Sequence, residues 1–216
     1  MQDNMESQMR ERICINVEKV YDWIVKELTF DFHKSGDITF PGLPHMENLH
    51  DACVTCKVMP DKYHPIVILS RENRTFSIEG RTVCLQQLNI KKNFDITIVL
   101  TLKNGHMYES TPIEVSRCEQ VILCAPKGTD VEITYTDLDC FVCSTGHISQ
   151  TGNPIDHKVH FPDLSITVSV CQSIQSTFPV TVEFLADYCE PRADFPFACS
   201  PTSRPRQCSA IFPSGE

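Results

Sequence analysis

Phe94-Asp95-Ile96-Thr97-Ile98-Val99-Leu100-Thr101-Leu102 alternates with period two, and Lys103-Asn104-Gly105-His106 follows it directly. Phe94, Ile96, Ile98, Leu100 and Leu102 fall on one face of an extended chain, while Asp95, Thr97 and Thr101 fall on the other. Such a pattern makes a strand with one side buried. Asn-Gly tolerates positive φ at both positions, so the chain reverses there into a second strand running from Met107 to Ser110, or on through Ile113.

Working outward, the same alternation recurs in Val131-Glu132-Ile133-Thr134-Tyr135, in Ile166-Thr167-Val168-Ser169-Val170 and in Val180-Thr181-Val182-Glu183-Phe184. Turn-forming clusters separate them: Pro126-Lys127-Gly128-Thr129-Asp130, Ser144-Thr145-Gly146 and Gly152-Asn153-Pro154. Short strands punctuated in this way predict an all-β fold, an antiparallel sandwich or barrel-like domain. Residues 13–32 fit a helical stripe through Val17, Val20, Tyr21, Ile24 and Leu28, but also alternate as strands. Their β-branched and aromatic content favours strands. Residues 33–51 read as a long loop. The expected organisation is a flexible N-terminal tail (1–12) and a β domain (13–188) whose core is 52–188. An extended tail (189–216) follows, because Pro191, Pro196, Pro201, Pro205 and Pro213 remove backbone donors and fix φ.

The chain of 216 residues is 41% hydrophobic and carries a formal net charge of −9 with its lysines and arginines scattered. A nucleic-acid partner requires a basic face, and an anionic membrane surface requires one too. Neither partner is expected. No apolar run approaches the roughly 20 residues of a transmembrane helix, so no membrane insertion is expected. The opening Met1-Gln2-Asp3-Asn4-Met5-Glu6-Ser7-Gln8-Met9-Arg10-Glu11-Arg12 lacks an apolar signal core, which predicts synthesis in a cytoplasm. Twelve cysteines are many for such a compartment, where thiols stay reduced.

Two CxxC pairs, Cys53-Val54-Thr55-Cys56 and Cys140-Phe141-Val142-Cys143, invite a zinc reading. The interval between them far exceeds the roughly 15–20 residues of a zinc ribbon, and residues three apart on a strand point to opposite faces. Buried or cross-linking thiols fit better than metal. No helix-capped CxxC of a thioredoxin type is visible, nor a nucleophile elbow, a P-loop or a metalloprotease motif. His157-Lys158-Val159-His160 lies between prolines in a loop, and Asn73-Arg74-Thr75 lacks the export route that glycosylation needs. No residue is assigned to catalysis, and no cofactor is expected.

The segment Cys14-Ile15-Asn16-Val17-Glu18-Lys19-Val20-Tyr21-Asp22-Trp23-Ile24-Val25 resembles the opening of coat and exosporium-type proteins from endospore-forming bacilli and clostridia. The segment Tyr188-Cys189-Glu190-Pro191-Arg192, leading to Phe195-Pro196-Phe197-Ala198-Cys199, resembles their closing region. The resemblance implies a spore-surface protein made in the mother cell without export and oxidised once that cell lyses. It would be a self-assembling structural component that partners other copies of itself and other spore-envelope proteins as a homo-oligomer.

Cys189, Cys199 and Cys208, with Cys14, are the expected cross-linking residues, since exposed thiols in an extended tail oxidise readily. The alternative is that the tail folds back and pairs its cysteines with Cys14 or with one another. Trp23, the one tryptophan, is expected to anchor the core. A different class of function, a non-catalytic β-sandwich module that binds a glycan or a protein partner through its loops, would leave the cysteines paired within the monomer.

Overall fold

The computed structural model describes residues 11–45, 49–153 and 155–186. Nine strands lie in them: β1 (Glu11–Thr39), β2 (Cys53–Pro60), β3 (Ile66–Ile78), β4 (Arg81–Thr101), β5 (Met107–Glu109), β6 (Ile113–Leu123), β7 (Asp130–Ser144), β8 (Ser149–Thr151) and β9 (Lys158–Ala186). No helix occurs among the described residues. They divide into two compact units, residues 20–178 and residues 11–19 with 179–186. In the smaller unit Arg12 pairs with Glu183 at 3.3 Å and the Thr181 hydroxyl donates to Asn16 Oδ1 at 2.7 Å.

The larger unit is an antiparallel sandwich of two sheets, not a closed barrel. One sheet has the order β1-β9-β7, with β8 paired to β9. In the other, β4 is the hub. Gln86–Lys92 pair with β3 on one side and β6 on the other, and Phe94–Ile96 pair with β2 and β6, so β2 and β3 share one side of β4. The Asn104-Gly105 reversal is present, with Gly105 at φ 85° and β5 paired to the end of β4.

The expected alternation carries the core. Phe94, Ile96, Ile98 and Leu100 are fully buried against Phe161, Leu164, Ile166, Val168 and Val170 of β9. Each such side chain contributes roughly 1.5–3 kcal/mol on leaving water. A second cluster gathers Leu88, Ile90, Val121, Leu123, Ala125 and Ile174.

Four expectations are corrected. The strands are long: β4 has 21 residues and β9 has 29. Lys92 and Gln172 hide this in the sequence, because each puts a polar residue at a core-facing position of an otherwise apolar row. Residues 33–39, expected in a loop, complete β1, which also takes in residues 11 and 12 of the expected tail. The core does not begin at residue 52, since Ile38, Phe40, Leu43 and Leu49 are buried in it and Leu28, Phe30 and Phe32 pack on it. Trp23 does not anchor the core. It is 61% exposed, on the outward parity of β1, and its indole N–H donates to Ser173 Oγ at 2.7 Å. Phe30 and Phe94, with ring centroids 5.7 Å apart, fill the role assigned to it.

Candidate cross-linking site

The two CxxC pairs start on different sheets, Cys53 and Cys56 on β2, Cys140 and Cys143 on β7. Strand alternation turns one member of each pair inward. Val54, Cys56 and Val58 face the core, as do Leu138, Cys140 and Val142. Cys56 and Cys140 are joined by a disulfide across the sandwich, with Cα atoms 6.0 Å apart and a sequence separation of 84. Cys53 and Cys143 point outward and are exposed. Four thiols that diverge in this way cannot converge on one zinc. Cys143 Sγ lies 3.2 Å from Thr167 Oγ1, whose hydroxyl donates to Asp31 Oδ1 at 2.6 Å.

Both open sides of the sandwich are laced. On the side of the disulfide, Arg71 Nη1 of β3 donates to the carbonyl of Thr129 at 2.9 Å. On the other side Lys26 of β1 donates to the carbonyl of Gln120 at 3.2 Å, and Arg117 of β6 donates to the carbonyl of Asp31. The Asp22 carboxylate takes the N–H of Cys124 at 2.7 Å. Exposed edge carbonyls are a template for strand addition, and charged side chains that cap them oppose it.

Between the two apolar clusters runs a polar layer. The fully buried Lys92 ammonium donates to Glu119 Oε1 and to Gln172 Oε1, and Gln172 Nε2 donates to the same Glu119 oxygen at 3.0 Å. Lys26 stands 3.3 Å from Glu119 Oε2. Burial pulls the Lys92 amine below its ordinary value against the opposing pull of Glu119. Burial pushes the Glu119 carboxyl up, but Lys92, Gln172 and Lys26 together outweigh it and hold the group below its ordinary value. Burial, then the charge of Glu119, pushes the Tyr135 phenol up. The layer joins β4 and β6 of one sheet to β9 and β1 of the other.

A depression of about 400 Å³ opens beside Asp61, Tyr63, His64, Asp95, Glu114 and Ser116. Asp61 and Ser116 are engaged in the local fold. Asp61 accepts the N–H groups of His64 and Tyr63, which hold its carboxyl below the ordinary value. The Ser116 hydroxyl donates to Asn93 Oδ1 at 2.8 Å, and Asn93 in turn donates to the carbonyl of His64. The serine and the imidazole are therefore not hydrogen-bonded as nucleophile and base.

Among the described residues Cys14, Cys53, Cys84, Cys118 and Cys143 are exposed free thiols, and Cys124 and Cys171 are half-buried ones. Of the expected cross-linkers Cys14 is thus described, while Cys189, Cys199 and Cys208 lie outside the described residues. Sequence reasoning read the CxxC pairs as buried or cross-linking thiols without saying which member of each pair is which, and did not single out Cys53 and Cys143 as linkers. The signal was present in the strand-like flanks, which already required each pair to split between two faces. No helix of the described residues is long and apolar enough to cross a membrane. No family model, curated protein or solved structure matches the chain.

Proposed function

We propose that this chain is a structural building block of a bacterial spore coat or exosporium, linked to its neighbours through cysteine. The observation that carries the cross-linking is the spread, among the described residues, of five exposed thiols over β1, β2, β4, β6 and β7, with one internal disulfide holding the sandwich. The contacts along the open sides oppose strand addition, and the exposed thiols supply a covalent route to assembly. The spore envelope itself rests on the resemblance of the two ends of the chain.

Oxidation tests it. The purified reduced chain is exposed to oxidised glutathione and run on a gel without reductant. A ladder of higher-mass species that collapses with reductant is expected. A chain that stays monomeric overturns the reading.

A second reading has one observation in its favour. Trp23 is exposed and held by Ser173 beside a row of hydroxyls on β9, as in a surface that stacks a sugar ring. Binding of a neutral oligosaccharide that quenches Trp23 fluorescence, by a chain that remains monomeric after oxidation, would favour that module instead.

A further inference from the structure

The outward cysteines of the two CxxC pairs stand at one height on opposite faces of the sandwich. Two contacts set the height. Cys56 of β2 meets Cys140 of β7, and further along the same side Arg71 of β3 reaches Thr129. As the chain advances through β2 and β3 it therefore retreats along β7, so the two strands run antiparallel. Three residues back from Cys56 and three residues on from Cys140 reach the same level, where Cys53 and Cys143 stand. Cys53 lies on the outer face of the β4 sheet and Cys143 on the outer face of the β9 sheet. By the same geometry Lys57 and Asp139, each one residue from the disulfide, are also level.

We propose that Cys53 of one copy bonds to Cys143 of the next. This deepens the cross-linking reading above and rests on it. A link between two different faces is heterologous: it leaves a free Cys143 at one end and a free Cys53 at the other, so the chain of copies can grow without closing. Electrostatics selects this pairing over Cys143 to Cys143. Around Cys143 the outward positions hold Glu27 and Asp31 on β1 and Asp137 and Asp139 on β7. No Lys or Arg occupies an outward position of residues 27–31, of 137–143 or of 165–175 on β9 between them, Lys158 lying at the far start of that strand. Apposing two such faces sets carboxylates against carboxylates. The face around Cys53 instead presents Lys57, already engaged by Glu109 at 2.5 Å, so charge is balanced there.

The step balances with a small-molecule disulfide as oxidant. The thiolate of Cys53 attacks one sulfur of oxidised glutathione and releases one glutathione thiol. The thiolate of Cys143 from the next copy then attacks the Cys53 sulfur of the mixed disulfide and releases the second. Two protein thiols lose two protons and two electrons, and one disulfide becomes two thiols.

The test uses the full chain, mixed in equal parts from ¹⁴N and ¹⁵N cultures, oxidised with oxidised glutathione, digested and weighed. A peptide pair joining Cys53 to Cys143 is expected, with about half of it isotopically mixed. Cys53→Ser and Cys143→Ser, both at exposed positions, should each lose that pair alone and regain it when combined. Predominance of Cys53–Cys53 or Cys143–Cys143 pairs overturns the proposal. So does a ladder formed while Cys53 and Cys143 stay open to alkylation, an outcome that leaves the cross-linking reading standing on other cysteines. A chain with no reductant-sensitive ladder overturns both.

Discussion

Lys92 is the residue on which the packing of this protein turns. Its ammonium is fully buried among apolar neighbours and is tolerable only because Glu119 and Gln172 meet it. Changing Lys92 to Ala leaves the Glu119 carboxylate, only 6% exposed, without its closest counter-charge. The expected loss is about 3–5 kcal/mol, read from urea denaturation. A Lys92→Leu/Glu119→Leu double variant should lose much less than the sum of its singles, because no uncompensated charge remains. At Trp23 the opposite holds. A side chain 61% exposed contributes little burial, so Trp23→Ala should cost about 1 kcal/mol or less, against roughly 3–5 kcal/mol for Phe94→Ala. As the one tryptophan, it also reports directly: native fluorescence should be readily quenched by acrylamide. Strong protection would contradict its exposure.

At the scale of elements, β4 and β9 explain both what the pattern revealed and what it hid. The buried row of β4 runs Leu88, Ile90, Lys92, Phe94, Ile96, Ile98 and Leu100, and period-two reading recognises only the part after the lysine. In β9 Gln172 and the buried Ser176 interrupt the row in the same way, so one strand read as two. A polar residue facing the core is legible only once its partner is known, and Glu119 and Gln172 are remote in sequence from Lys92. The Cys56–Cys140 disulfide joins β2 to β7 on the same principle of distant partnership. It closes a loop of 84 residues, for which chain entropy gives a ceiling of about 4.5 kcal/mol. Cys56→Ser should lower stability by about 2–4 kcal/mol, whereas Cys53→Ser should be within about 0.5 kcal/mol of the parent. Equal effects at the two positions would show that the inner and outer members of the pair had been assigned wrongly.

For the whole molecule, acid is the condition that separates these contributions. Asp37, bonded to His160, Asp51, bonded to His50, Asp61 and Glu119 are all held below their ordinary values of 3.8 and 4.5. A carboxylate whose folded pKa is depressed takes up its proton more readily when unfolded. The stability it contributes is complete above the ordinary value and is lost as pH falls through the folded one. Denaturant midpoints should thus be flat in carboxylate contribution above about pH 5 and fall steeply below about pH 4. Glu119→Gln should flatten part of that fall, since Glu119 is the buried member of the set. An unchanged acid limb in that variant would remove Glu119 from the account.

The sequence by itself determined the class of this fold, because alternation and turn chemistry are local properties: Phe94 to Leu102, the Asn104-Gly105 reversal and the Pro126–Asp130 turn all stand as read. It determined too that the members of each CxxC pair must diverge, since a strand has period two wherever it lies. Only the tertiary structure decided which cysteine turns inward, that Cys56 finds Cys140, that Lys92 is a core residue and that Trp23 is a surface one. Each of these depends on which face of a strand meets the other sheet, and that choice is made by the summed burial of rows distant in the chain rather than by the residue's own neighbours.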